Sequence, residues 1–571
     1  MLAKIKTKAG YNIITFLAIL IVTIFMFYWI GQKEGFHEDE IFSYGSSNYK
    51  WDNVFQAAGK SDFLNRAIEQ YVIEDGFGET INNIQYYLAH PDKFGALAGE
   101  IQKNDKPVWK TSQDAIDYLT VSSDEILSYF SVYYNQSRDV HPPLFYALVH
   151  LVSSIALGVF SKYIIFAINL AFFILTCYFI RKIFILFNKK WLGILAILLY
   201  GLSMGAASTV IFLRMYSMIT FFSIAYLYLN LKILKNNFDI TRRDKWKLFA
   251  VVLLGFLTQY YFCIFAALVF IIMSINMLSK KQVRVWVRYL LLHVLTAIVG
   301  IVLFPASIYH IFFSYRGAGA AEGSMNIIEA LQFYASRLCE AFSVNNVLII
   351  ALLVLAAIAV VVRLGIRIVK KEKITKLAQY VLIALPTLLY FVVVAKIAPD
   401  VEAKYAVRYV MPILPEIAII FVLALYRVFS SKVVGLSVTA AAVVIISVNG
   451  MITNEPKYLY RGYQNYLDIA EEYKDLEFVY AVDNAFTQLT SLPEFAIYNK
   501  SLIINMNYDK LDFLATDQEL QSQDQFVLTI KKWMNVEDTL NKILENTGFT
   551  KYELLLDQND DTQSIIYLVS R

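Results

Sequence analysis

Residues 11–30, YNIITFLAILIVTIFMFYWI, form an unbroken apolar run of about 20 residues, the length a helix needs to cross a bilayer. Lys4, Lys6 and Lys8 precede it. A secretory leader also starts basic and turns apolar. This run is long for a leader's core, however, and no small-residue cleavage site stands before Gln32 and Lys33. It reads as an uncleaved anchor with a cytoplasmic N-terminus.

The rest of the chain carries the same signal. Of 571 residues, 58% are hydrophobic and 17% charged, against roughly 45–50% and 25% in soluble proteins. The net charge of +4 is too small to point to a nucleic-acid partner. Cys177, Cys263 and Cys339 lie far apart in or beside apolar stretches, so they suggest neither a disulfide framework nor a cysteine metal site. From 31 to 142 the chain is polar and aromatic, a first loop without a spanning run. Apolar segments then resume and continue to about 451.

The apolar stretch 143–160 is the ambiguous crossing. If it crossed, Arg181, Lys182, Lys189 and Lys190, and Arg242, Arg243, Lys245 and Lys247, would face outward. Cytoplasmic loops carry the Lys/Arg excess, so 143–160 reads as a juxtamembrane helix at the outer surface. Eleven crossings follow, near 11–30, 162–187, 191–210, 213–233, 247–260, 261–279, 288–308, 346–363, 376–396, 408–428 and 433–451. The tail alternates strand-like runs at 477–482, 501–505 and 565–569 with a helix-like run at 536–545, without a Gly-rich phosphate loop. The expected architecture is a polytopic α-helical membrane protein of the cell membrane. A transmembrane domain covers 1–451 and a small extracytoplasmic α/β domain covers 452–571.

Chemistry-bearing residues cluster beyond the first crossing. His37-Glu38-Asp39-Glu40 packs three carboxylates in a row. A carboxylate at the mouth of a membrane cavity suits a general base for a substrate hydroxyl, and Asp39 with Glu40 could equally ligate Mg2+ or Mn2+ through oxygen. The same run also suits a solvated helix cap. His141-Pro142-Pro143-Leu144-Phe145-Tyr146 reopens the apolar region, its prolines fixing a helix start or merely punctuating membrane entry. Arg214, in Phe212-Leu213-Arg214-Met215-Tyr216, and Arg408, in Lys404-Tyr405-Ala406-Val407-Arg408, fall at outer boundaries against the inside bias of the other basic residues. Each could bind phosphate bidentately or snorkel to headgroups. Tyr260 shares that level, where an aromatic belt is also expected.

Together these pieces resemble the bacterial polyprenyl-phosphate-dependent glycosyltransferases of the GT-C fold, nearest to the protein O-mannosyltransferase-like (family 39-like) and aminoarabinose-transferase-like group. The resemblance rests on Asp39-Glu40, His141-Pro142-Pro143-Leu144-Phe145-Tyr146, Arg214-Met215-Tyr216 and Arg408-Tyr409-Val410-Met411-Pro412, and covers roughly the first 430 residues. It implies transfer of a sugar from a polyprenyl-phosphate donor, with inversion, to an extracytoplasmic glycan, lipid or protein acceptor. By the same resemblance Asp39 is the catalytic base and Glu40 the second carboxylate. Arg214 and Arg408 take the lipid phosphate, and His141 shapes the first-loop cavity; His37, Tyr216, Tyr260 and Lys404 complete the substrate-binding set. The first loop is longer than the resemblance leads one to expect, and the resemblance does not extend to the tail.

Two other classes compete. A transporter or flippase predicts mid-membrane charges and two related halves; the helices carry few such charges and no internal symmetry is apparent. A non-catalytic envelope-assembly protein leaves Asp39 and the arginines unexplained. The topology predicts that a single cysteine at Ser137 reacts with an impermeant reagent outside intact cells and one at Lys189 does not; the reverse pattern overturns the crossing scheme.

Overall fold

The computed structural model describes residues 8–50, 67–68, 70–74, 77–103, 107–314, 326–344, 377–398, 405–484 and 486–571. The chain forms two compact units. The first comprises Met1–Lys33, Val132–Val149 and Ser161–Leu459; the second comprises Glu34–Ser131, His150–Phe160 and Tyr460–Arg571.

The first unit is helical. Among the described residues, eight helices are long and apolar enough to cross a membrane: Ala9–Gly31, Lys162–Leu186, Tyr216–Lys235, Tyr261–Ser279, Val283–Leu303, Leu377–Ile397, Met411–Val428 and Lys432–Thr453. The chain is therefore a multi-pass membrane protein. The crossing expected near 191–210 is a broken one, Lys190–Gly201 and Met204–Ile211, bent by 64°. The one expected at 247–260 is a 15-residue helix, Arg242–Phe256. At 1.5 Å per residue it measures about 22 Å, short of the roughly 30 Å hydrocarbon core, and its first turns carry Arg242, Arg243, Asp244, Lys245 and Lys247, which shortens the apolar part further. The stretch 143–160 holds a helix of only 12 residues, Leu144–Ile155, about 18 Å long and too short to span. The crossing expected at 346–363 lies outside the described residues.

Where a helix breaks inside an apolar unit, its freed backbone groups need partners. Buried Asn169, on helix Lys162–Leu186, supplies them for the link after Met204–Ile211. Its Nδ2 donates to the carbonyls of Val210 (3.1 Å) and Phe212 (2.8 Å). Ser217 Oγ returns a bond of 2.7 Å to the Asn169 carbonyl. One asparagine thus fixes the link Phe212–Met215 that carries Arg214.

The second unit is built on a six-stranded sheet of order β1-β3-β2-β4-β6-β5. Its strands are β1 (Lys110–Thr111), β2 (Glu477–Val482), β3 (Lys500–Asn505), β4 (Gln525–Lys531), β5 (Lys551–Asp557) and β6 (Ser564–Ser570). Strands β3, β2 and β4 run parallel, with Val479 opposite both Leu502 and Leu528. The central β2 is buried along its whole length, as expected of a parallel strand covered on both faces. Helix Val536–Thr547 packs Leu540 and Ile543 on this core and ends at Gly548, whose φ of +76° favours glycine.

The last spanning helix ends at Thr453, and Glu34–Ser131 of the first loop falls in the same compact unit as Tyr460–Arg571. The physical cause is edge pairing: β1, from the first loop, adds antiparallel to β3 with Lys110 opposite Ser501. Trp109 Nε1 then donates to Asp517 at 3.0 Å. Within the same unit, helix Glu38–Asn48 meets helix Ser112–Leu119 so closely that a Cβ on Gly45 would lie 1.9 Å from the Tyr118 ring.

Gly45→Ala is therefore expected to destabilise the purified full chain by about 1–3 kcal/mol through overpacking. Gly95→Ala, inside helix Pro91–Lys103 with nothing within 4 Å of its Cβ, serves as the control and should match or exceed wild-type stability. Thermal unfolding in detergent distinguishes them, and equal midpoints contradict the packing assignment.

Candidate functional site

In the first unit the end of the first loop meets the helix link at Phe212–Met215. Three residues after helix Met204–Ile211, Arg214 is buried, its guanidinium 5.8 Å from the Tyr146 ring centroid. Arg214 Nη2 lies 3.4 Å from His141 Nε2, and His141 Nδ1 lies 2.6 Å from Asp139 Oδ2. A carboxylate only accepts, so Nδ1 carries the proton and Nε2 offers its lone pair to Arg214. Asp139 thereby sets the imidazole tautomer, and the imidazole faces the guanidinium as an acceptor.

Charge agrees with this order. Burial alone would raise the Asp139 carboxyl, but its interaction with His141, including the hydrogen bond, and the positive charge of Arg214 outweigh it and hold the group below its ordinary value. Asp139 was missed in the sequence, although it stands only two residues before His141.

A second histidine borders the same loop. His310 Nε2 donates to the Ser137 carbonyl at 3.1 Å, and the Tyr260 hydroxyl donates to Nδ1 at 3.0 Å. Burial pushes the His310 imidazole below its usual pKa, which keeps Nδ1 available as acceptor. It also raises the Tyr260 hydroxyl, keeping it protonated as donor. Tyr260 therefore has a fixed partner beyond its place at the membrane level.

Arg408 is buried on a short 3-10 turn, Ala406–Tyr409, with its guanidinium 5.3 Å from the Tyr409 ring centroid. That turn is held from two sides. The Tyr390 hydroxyl donates to the Tyr409 carbonyl at 3.2 Å, and the Tyr261 and Tyr409 rings stand 5.5 Å apart. Tyr216 opens the spanning helix after Arg214, its ring stacked on Phe212 at 5.5 Å and 19°. Lys404 lies outside the described residues.

His37, Asp39 and Glu40 belong to the second unit. His37 caps helix Glu38–Asn48: its Nδ1 accepts from the Asp39 amide at 3.0 Å, and Glu40 Oε2 accepts from the His37 amide at 2.7 Å. Because Nδ1 accepts a hydrogen bond, its 3.8 Å approach to Asp39 Oδ2 is not an ion pair through that nitrogen. Glu40 is fully buried in this reciprocal cap, whereas the Asp39 side chain keeps a quarter of its surface accessible. Helix starts favour anionic side chains. Of the two carboxylates, Asp39 is the more accessible and Glu40 the buried one.

One Glu40 oxygen is engaged in the cap, and no group of three or more His, Cys, Asp or Glu suited to a metal occurs among the described residues.

No protein-family model matches the chain, and no curated protein matches it in sequence. Among solved structures it is similar to ArnT from Cupriavidus metallidurans bound to undecaprenyl phosphate, at 11% identity and a TM-score of 0.45, with 75% of this chain and 87% of that chain covered. It is also similar to ArnT from the same organism in the apo state, at 11% identity and a TM-score of 0.44 over the same shares.

The His310 geometry predicts a pH effect. The folded chain disfavours protonation of this imidazole, so the unfolded chain takes up the proton first and stability falls as pH drops below about 6.5. His310→Gln, whose amide can donate to Ser137 and accept from Tyr260, should flatten that acid-side loss in thermal unfolding between pH 7.5 and 5, a window set by the roughly 6.5 reference value. An unchanged slope contradicts the neutral assignment.

Proposed function

We propose that this protein is a membrane glycosyltransferase of the GT-C type. It transfers a sugar from a polyprenyl-phosphate carrier to a hydroxyl of an extracytoplasmic cell-envelope glycan, lipid or protein. The observation that carries the reading is the pair of buried guanidiniums, Arg214 and Arg408, each on an interruption of a helical membrane unit. A buried cation in such a unit is costly and marks a functional site by default. A guanidinium matches the geometry of a phosphate monoester anion, and the apolar helices suit the prenyl chain.

The chemistry is an inverting displacement. The acceptor oxygen attacks the anomeric carbon as its proton passes to the Asp39 carboxylate. The bond from that carbon to the phosphate oxygen breaks, its electron pair stays on the phosphate, and polyprenyl phosphate leaves. Arg214 and Arg408 stabilise the charge developing on the leaving group, and Asp139, through His141, keeps Arg214 oriented. Support for Asp39 as base comes from its accessibility beside a buried, capped Glu40 and from the family resemblance of the motifs.

Membranes bearing Asp39→Asn, supplied with a labelled polyprenyl-phosphate sugar and an envelope acceptor fraction, should transfer about 10²–10⁴-fold more slowly than wild type. Arg408→Lys should raise the donor KM, because the ammonium lacks the bidentate fork. Undiminished transfer by Asp39→Asn removes the base assignment.

A further inference from the structure

The segments that carry the two arginines are joined by one column of rings, and its central member comes from a distant part of the chain. The segment after the last spanning helix, Lys432–Thr453, turns back into the helical unit. There the Tyr458 ring lies flat on Phe212, with centroids 3.8 Å apart and planes 8° apart. Its other neighbour is Tyr405, stacked at 5.0 Å and 21°. Phe212 in turn stacks on Tyr216, and these two rings bracket Arg214 in sequence. Tyr405 is the residue from which the Arg408 turn starts. Three interruptions of the helical unit therefore meet through a single side chain.

Several contacts hold that side chain in place. The Tyr458 hydroxyl donates to the Tyr405 carbonyl at 3.1 Å. The Tyr458 carbonyl accepts from buried Lys33 Nζ at 2.5 Å, and the Lys457 amide donates to Ser208 Oγ at 2.9 Å, on the helix leading to Arg214. Tyr458 is buried to 1% exposure with φ of +70°, a region that disfavours a bulky side chain and persists where surroundings enforce it.

We infer that Tyr458 is a positioning residue that registers the Arg214 link against the Arg408 turn, so that both guanidiniums address one lipid phosphate. The inference rests on the glycosyltransferase reading above. Tyr458 touches neither the donor nor the acceptor; it acts through Phe212 and Tyr405.

The test is binding of undecaprenyl phosphate alone to the purified full chain in nanodiscs, alongside donor and acceptor KM in a transfer assay. Wild type should bind. Tyr458→Phe keeps the ring and should bind within about two-fold of wild type, whereas Tyr458→Ala should bind at least about ten-fold more weakly. The donor KM should rise in the alanine variant while the acceptor KM stays unchanged, a split that general loosening of the fold does not produce. If Tyr458→Ala does not fold, Tyr458→Leu, which fills the slot without a stacking face, decides by the same criterion. Wild type failing to bind overturns the polyprenyl-phosphate reading itself. Wild type binding with the alanine or leucine variant equally tight leaves that reading standing and overturns the role of Tyr458.

Discussion

A guanidinium inside an apolar helical unit sets the terms for everything around it. Arg214 sits at 3% exposure on the link Phe212–Met215, where a regular helix would leave no room for its neighbours to turn. The link survives because Asn169 takes up the Val210 and Phe212 carbonyls and because His141, its tautomer set by Asp139, faces the charge as an acceptor. Burying an arginine this way is expensive unless an anion shares the site. Asp139 acts on Arg214 through His141, and in the proposed reading a phosphate monoester, with more than one acceptor oxygen, matches the forks of the two guanidiniums.

The second unit follows a different logic. It is organised by a sheet with a buried parallel centre, and the first loop enters it by adding β1 beside β3. Asp39 is thereby mounted on a helix capped at both its first amides and packed tightly at Gly45 against Tyr118. The reciprocal cap of His37 and Glu40 fixes the start of that helix, the rigid support that the role proposed for Asp39 calls for.

Much of this was legible in the chain. The long apolar runs gave the spanning helices to within a few residues, and the tail's strand-like runs correspond to β2, β3 and β6. Arg214 and Arg408 stood out in the sequence as basic residues expected at outer boundaries against the inside bias. Other features had no local signal. The short helix Arg242–Phe256 looks like a crossing when only its apolar end is counted. A two-residue strand such as β1 has no periodicity to detect. The Glu40 cap follows the spacing of a capping box but begins with histidine instead of serine or threonine, which hides it. Tyr458 was invisible for a deeper reason, since a ring stacked between Phe212 and Tyr405 depends on chain folding that no window of sequence contains.

The central claim is that Arg214 and Arg408 hold the phosphate of a polyprenyl lipid. The most direct test is an experimental structure of the full chain with undecaprenyl phosphate in a lipid nanodisc. The account predicts phosphate density within hydrogen-bond reach of both guanidiniums, with the prenyl chain running along the apolar helices. Lipid phosphate bound elsewhere, with both arginines engaged only by protein groups, would contradict it.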